Sequence, residues 1–277
     1  MSDSREDDAA RRRGAGYRRF WAAVGRDFPD LDGARSTRHY RRDEEWLLGR
    51  ALPDLDGRRL LKTDLWDEAK NTRILSWLAG RGAACHGVDI SPPIVGSARR
   101  ELAMRGRRLS GVVADVRALP YRDGIFDAVY SMGTVEHFEE TEHALTEIRR
   151  VLRPGGRAVI GVPNRFDPFA RPLLVWLLHS LGLYGYGDEK CYSRRVLRRM
   201  LERAGLTVEW VDGILFLPGW LRMLDLACWT WARPLAKLTA VAVGFFDTLS
   251  RRWPRLRRHG YLLAALAVRA DPGDGRT

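Results

Sequence analysis

The stretch from Gly111 to Phe138, GVVADVRALPYRDGIFDAVYSMGTVEHF, constrains the fold more than any other part of this 277-residue chain. It holds two apolar, strand-like runs. VVA runs into Asp115, and FDAVYS runs into Gly133 and then Glu136-His137. A polar turn, Tyr121-Arg122-Asp123-Gly124, lies between them. In an open parallel sheet, ligands bind just past the carboxyl ends of the strands. Two such ends so close together predict an α/β fold that holds a nucleotide-like ligand.

The rest of the chain fits that expectation. Ala144 to Leu152 has apolar residues at helical spacing, Pro154-Gly155-Gly156 ends that helix, and RAVIGVP reads as a buried strand. Upstream, Tyr40 to Leu52 predicts a helix, Arg58 to Thr63 the first strand and Asn71 to Ala79 the first crossover helix. Ala84 to Ser91 is the expected second strand, ending in Asp89. Pro92 to Met104 is the next helix, with Pro near its first turn, where a missing N–H costs little. Gly111 to Ala114, Phe126 to Ser131 and Arg157 to Val162 supply strands three to five. Ser193 to Ala204 is a helix closed by Gly205. Thr207 to Val211 and Tyr261 to Arg269 are the last strands. Strands alternating with helices imply a parallel sheet covered on both faces, a doubly wound α/β fold.

The order strand, Asp, LP turn, FDAVYS, EH, helix, RVLRPGG, strand resembles the class I S-adenosylmethionine (SAM) dependent methyltransferases, the ubiquinone and menaquinone methyltransferase branch above all. The resemblance covers Arg59 to Gly213. It implies a mostly parallel seven-stranded, Rossmann-like sheet with an antiparallel last strand, SAM as cofactor, and methyl transfer to oxygen, carbon or nitrogen of a small acceptor. Asp89 could accept hydrogen bonds from both ribose hydroxyls, with Ile90 against the adenine face; a solvated turn acid is the alternative. The resemblance implies an adenine contact for the Asp115 side chain and the Val116 backbone N–H, where a helix-capping Asp is the alternative. Ser131, Met132 and Gly133 would line the methionine part of the cofactor, followed by Glu136. His137 is the candidate general base, because imidazole titrates near neutral pH; shaping the pocket is the other role open to it.

The first loop departs from the family's pattern. A GxGxG turn normally follows the first strand, whereas this chain reads LLKTDLWDEAKNTRIL and has no glycine between Gly57 and Gly80. Asp64 stands where the first glycine would be, and Lys62 where the usual acid sits. Asp64 or Asp67 could bind the cofactor's α-ammonium, and Lys70 or Asn71 its carboxylate. A second reading follows, a catalytically silent methyltransferase-like module that meets a membrane surface or a protein partner.

Composition narrows the field. The formal charge of +12 suggests nucleic acid, but only four of the 47 basic residues are Lys, which indicates an Arg-heavy bias, and residues 1–50 balance 12 Arg against 10 acids. The most one-sided cluster, Arg251 to Arg258, is a solvated basic turn or a contact for anionic lipid. No Asn-Pro-Pro-aromatic or Asp-Pro-Pro-aromatic tetrad follows strand four, which argues against methylation of nucleic acid. Cys85, Cys191 and Cys228 are far apart and form no CxxC, so neither a disulfide framework nor a zinc site is expected. With no apolar signal core in residues 1–20, a cytoplasmic protein is expected, with peripheral contact at the inner face of a membrane left open.

The expected organisation is a charged leader (1–19), one domain (20–270) and a tail (271–277), with apolar elaborations at 166–192 and 214–258. The elaborations are rich in Leu, Trp and Phe, are broken by charges too often to span a bilayer, and suggest extra core, a dimer surface, a patch resting on a membrane, or a lid over an apolar acceptor. Two motifs are set aside. Tyr186 and Lys190 have a YxxxK spacing, but Gly187-Asp188 argues against the helix it needs. Gly14-Ala15-Gly16 has no strand before it.

Overall fold

The structure, a computed structural model, describes residues 16, 18–182 and 189–270. Most of the leader, the tail 271–277, Gly14-Ala15 and Tyr186 lie outside the described residues. Seven strands form one sheet: β1 (Arg59–Lys62), β2 (Ala84–Asp89), β3 (Ser110–Val113), β4 (Phe126–Met132), β5 (Leu152–Pro163), β6 (Leu206–Ile214) and β7 (Leu262–Arg269). Their order is β3-β2-β1-β4-β5-β7-β6. Pairs from β3 through β5 are parallel, and β7 runs antiparallel between β5 and β6. The chain order reverses between β1 and β4, the switch point where doubly wound sheets hold ligands.

Helices cover both faces. Their described ranges are α1 (18–27), α2 (Arg35–Ala51), α3 (Trp66–Lys70), α4 (Ile74–Gly80), α5 (Pro92–Met104), α6 (Thr141–Val151), α7 (Arg171–Ser180), α8 (Arg194–Arg203), α9 (Gly219–Trp231) and α10 (Arg233–Arg252). Period-two alternation along the strands splits the core. Leu60, Tyr130 and Met132 pack with α2, α4 and α5, while Leu61, Val129 and Ile160 pack with α6 and α8.

Local chemistry explains most boundaries. The side chain of Ser193 accepts from the Val196 backbone N–H and starts α8. Val151 ends α6, and Gly155 at φ 69° turns the chain through an irregular register into the paired part of β5. The expected helix Asn71 to Ala79 is corrected to α4 alone, which starts only at Ile74, while the short α3 ends before it at Lys70, so the helical path is interrupted over 71–73. Arg73 breaks it in the left-handed region at φ 55°, held there by Asp30 (2.6 Å), Asp32 (2.5 Å) and Glu101 (3.2 Å). A carboxylate of Glu68 accepts from the Leu75 N–H at 3.0 Å and takes over one of the unpaired donors at the start of α4.

The glycine-free first loop has a matching glycine on the neighbouring strand. Leu65 is fully buried, and a Cβ at Gly87 would sit 2.5 Å from its Cδ2. Gly87→Ala is therefore expected to cost about 1–3 kcal/mol by overpacking, read as a lowered denaturant midpoint at unchanged slope.

Candidate active site

The carboxyl ends of β1, β2 and β4 open into one cleft, roofed by residues from α2, α9 and the loops after β5 and β6. Asp64, Asp89, Ile90, Asp115, Val116, Met132, Gly133, Glu136 and His137 all line it. Ser131 does not, which corrects the expectation for that residue: its side chain is fully buried. Alternation along β4 turns it away from the face that Tyr130 and Met132 share. Lys70 is also set aside, because its ammonium donates to the Phe28 carbonyl at 2.7 Å.

Asp89 ends β2. One of its oxygens accepts from the Leu65 N–H at 2.9 Å and the other from the Ser91 N–H at 2.8 Å. These bonds tie β2 to the first loop and leave one lone pair on each oxygen for a ligand. Burial pushes the Asp89 carboxyl up to about 7, against the two backbone donors, which favour the charged form. Asp115 is otherwise engaged than expected. Burial raises it, but its bonds with the Arg117 backbone and guanidinium (2.7 Å at the closest) outweigh that and hold it below its ordinary value. It meets the cleft as an ion pair.

Gly133 follows β4 at φ 74°, a conformation that favours glycine, and lets the backbone turn without a side chain over the cleft. Beyond it, a 3₁₀ turn at Val135–His137 carries Glu136 and His137. Glu136 is buried, and burial together with nearby Glu189 lifts its carboxyl well above the ordinary range, against the pull of Arg171. The His137 ring meets Trp21 edge to face at 5.2 Å.

Beneath the first loop lies a buried charge cluster. Lys62 is fully buried at the end of β1, with its ammonium 3.4 Å from Asp64, 3.8 Å from Glu68 and 4.0 Å from Asp67. Burial alone would lower its pKa, but those carboxylates and Glu44 raise it above its ordinary value. Burial lifts Glu68 to about 7 and raises Asp67 and Glu44 as well. Glu44 accepts a short bond from the Tyr130 hydroxyl. Thr134 donates to Asp64 at 3.2 Å, fixing that carboxylate at the cleft edge.

Several lining residues were not expected. Arg171 and Glu189 pair at 2.5 Å. Tyr40, Met223, Tyr261 and Arg222 come from α2, α9 and the edge of β7. The Arg222 guanidinium is buried above the Tyr40 ring, 5.2 Å from its centroid, and makes a long 3.4 Å bond to the Ser36 carbonyl. No carboxylate among the described residues pairs with it within 4 Å. The only sequence signal for this residue was its position, a single Arg in the apolar run GWLRML.

Residues 70–160 match the methyltransferase domain family. Over 79 residues the chain is 44% identical to a demethylmenaquinone methyltransferase of Thermus thermophilus, covering 28% of this chain and 36% of that protein. Over 81 residues it is 36% identical to norajmaline N-methyltransferase of Rauvolfia serpentina, covering 28% of each. The chain thus spans about a third of the length of the curated relatives it matches. The fold as a whole is similar to that of geranyl diphosphate C-methyltransferase from Streptomyces coelicolor, solved with S-adenosyl-L-homocysteine. The TM-score is 0.55 at 15% identity, over 83% of this chain and 79% of that one. Residues 70–160 are thus similar to a methyltransferase domain, and the chain as a whole has the Rossmann-like fold of its structural neighbour.

Proposed function

We propose that the protein transfers the methyl group of SAM to a small acceptor. One observation carries the reading: a single cleft at the β1/β4 switch point joins acceptors for a diol, an apolar wall and charged groups of both signs. The residues present fit the cofactor. Asp89 would take the ribose hydroxyls on its two free lone pairs, with Ile90 and Val116 bracketing the adenine. Gly133 gives room for the methionine chain. Asp64, fixed by Thr134 and Lys62, would hold the α-ammonium, and Arg222, which no carboxylate among the described residues pairs with, would hold the α-carboxylate.

When bound, the cofactor supplies an electrophilic methyl on a sulfonium. The chain's part is positional. Holding two partners in attack geometry can contribute about 7–11 kcal/mol to lowering a barrier. Glu136 can orient an acceptor oxygen or nitrogen at the cleft. His137 can take a proton from it. The apolar lining of Met132, Leu215, Met223 and Leu262 favours an apolar acceptor, and the outward-facing Leu and Trp of the added helices favour peripheral contact with a membrane.

Calorimetric titration with SAM and S-adenosylhomocysteine tests the reading. Binding is expected, and no heat with a folded sample overturns it in favour of a silent module. In the same experiment Arg222→Met is expected to weaken S-adenosylhomocysteine about tenfold or more, while leaving 5′-methylthioadenosine, which lacks the amino-acid part, unchanged.

A further inference from the structure

Helix α10 is amphipathic the wrong way round. Three of the four residues of its buried stripe are polar, Thr239, Asp247 and Ser250 beside Val243, and its outward stripe carries Leu235, Leu238, Val241 and Phe245, each more than half exposed. The outward residues recur at spacings of three and four, so they share one face. The inward polar groups are satisfied. Thr239 donates to Asp225 at 2.8 Å, and Asp247 pairs with Arg35 at 3.0 Å and with Arg42. The polar inward stripe is thus a built feature of the fold, and the apolar stripe is what remains for the outside.

The neighbouring helices continue the pattern. Trp220, Leu224 and Trp231 form the exposed stripe of α9, which packs against α10, and α7, which packs against α9, exposes Leu173, Trp176 and Leu177. Isolated apolar residues are normal on a protein surface, but three adjacent helices turning Leu, Trp and Phe outward mark an interaction site.

The charges around this face select its partner. Residues 219–258 contain eight Lys and Arg and only two acids, Asp225 and Asp247, both buried and bonded inside. Every exposed formal charge of the segment is positive, including Arg233, Lys237, Arg251, Arg252 and Arg255. A second copy of the chain would bring like charges together. An anionic bilayer offers the complement, with Trp suited to the interface and cationic side chains to the headgroups. No helix among the described residues is long and apolar enough to cross a membrane, so the geometry is that of a face lying on the surface.

We propose that the outward face of α7, α9 and α10 docks on an anionic phospholipid bilayer. The same α9 presents Arg222, Met223 and Leu226 to the cleft from its other side, so the docked helices are the wall between lipid and cleft. That an acceptor enters from the lipid phase rests on the methyltransferase reading; the docking itself does not.

Co-sedimentation of the full chain with vesicles of phosphatidylglycerol and phosphatidylcholine, or of phosphatidylcholine alone, tests this. The protein is expected to pellet with the anionic vesicles, less so as salt rises. Leu238→Glu/Phe245→Glu is expected to lower partitioning about tenfold or more, and Lys237→Glu/Arg252→Glu to abolish the preference for anionic lipid. Calorimetry with S-adenosylhomocysteine on the same variants reports whether they fold and keeps the two readings separate: unchanged cofactor affinity with lost vesicle binding supports the docking face. Wild-type protein that stays in the supernatant with both vesicles overturns it. So does retention undiminished by Leu238→Glu/Phe245→Glu, or a wild-type dimer that this variant dissociates while neither form binds vesicles.

Discussion

Asp89→Ala is expected to weaken S-adenosylhomocysteine binding by at least about a hundredfold, equivalent to about 2.7 kcal/mol. Two losses combine. The ligand's hydroxyls lose both acceptors, and the Leu65 and Ser91 N–H groups lose the carboxylate that ties the first loop to β2. Asp89→Asn keeps one acceptor oxygen and should fall between wild type and alanine. The pH profile gives a sharper reading. Burial pushes this carboxyl up to about 7, so its charged fraction grows as pH rises through neutrality. Hydroxyl donors prefer the charged acceptor, so affinity should climb from about pH 6 to about pH 8 and flatten in Asp89→Asn. Stability moves the other way. The folded protein keeps a proton that the unfolded chain gives up, so this contribution is present below the ordinary carboxylate range and is lost as pH rises through about 7. A pH-independent affinity in the wild type would remove Asp89 from the ribose role.

The second large effect concerns Lys62. Lys62→Met should destabilise the fold by about 3–5 kcal/mol near pH 8, because Asp64, Asp67, Glu68 and Glu44 are left without their shared cation. The loss should shrink near about pH 5.5. There Glu68, already lifted to about 7, is protonated, and Asp67 and Glu44, raised in the same direction, become neutral more readily still once the ammonium is gone. Denaturant midpoints at the two pH values measure this. Equal losses at both would mean that Lys62 contributes packing through its methylenes and not charge.

These two residues also mark how far the sequence could be read. Asp89 was legible because an apolar run ending in Asp before a Pro-started helix has one economical fold, and the same holds for the run ending at Met132-Gly133. Lys62 was seen only as a departure from a family pattern. A lysine inside the run LLKT, followed by Asp64, Asp67 and Glu68, is in retrospect a buried cation with its counter-ions nearby in sequence. Ser131 was misassigned because a strand's last residues alternate between faces, and which face meets the cleft depends on the register of β4 against its neighbours. The break at Arg73 depends on carboxylates about forty residues away and one on α5, so no local pattern carries it. Tyr40, Arg171, Glu189 and Arg222 reach the cleft from elements joined to it only by tertiary packing.

Helix α2 shows what that long-range dependence implies for how the chain is made. Several of its polar groups are answered late in the sequence. The Ser36 N–H donates to Asp225 across 189 residues, Asp43 accepts from the Leu215 N–H across 172, and Arg35 waits 212 residues for Asp247. At ~5–20 residues per second, a ribosome needs ~10–40 s to deliver Asp247 after Arg35 has emerged. Through that interval α2 has helical sequence and no finished surroundings, with Ser36, His39 and Asp43 still hydrated and Leu47 and Leu48 uncovered. The helix that walls one side of the cleft is thus translated well before the residues that complete its surroundings.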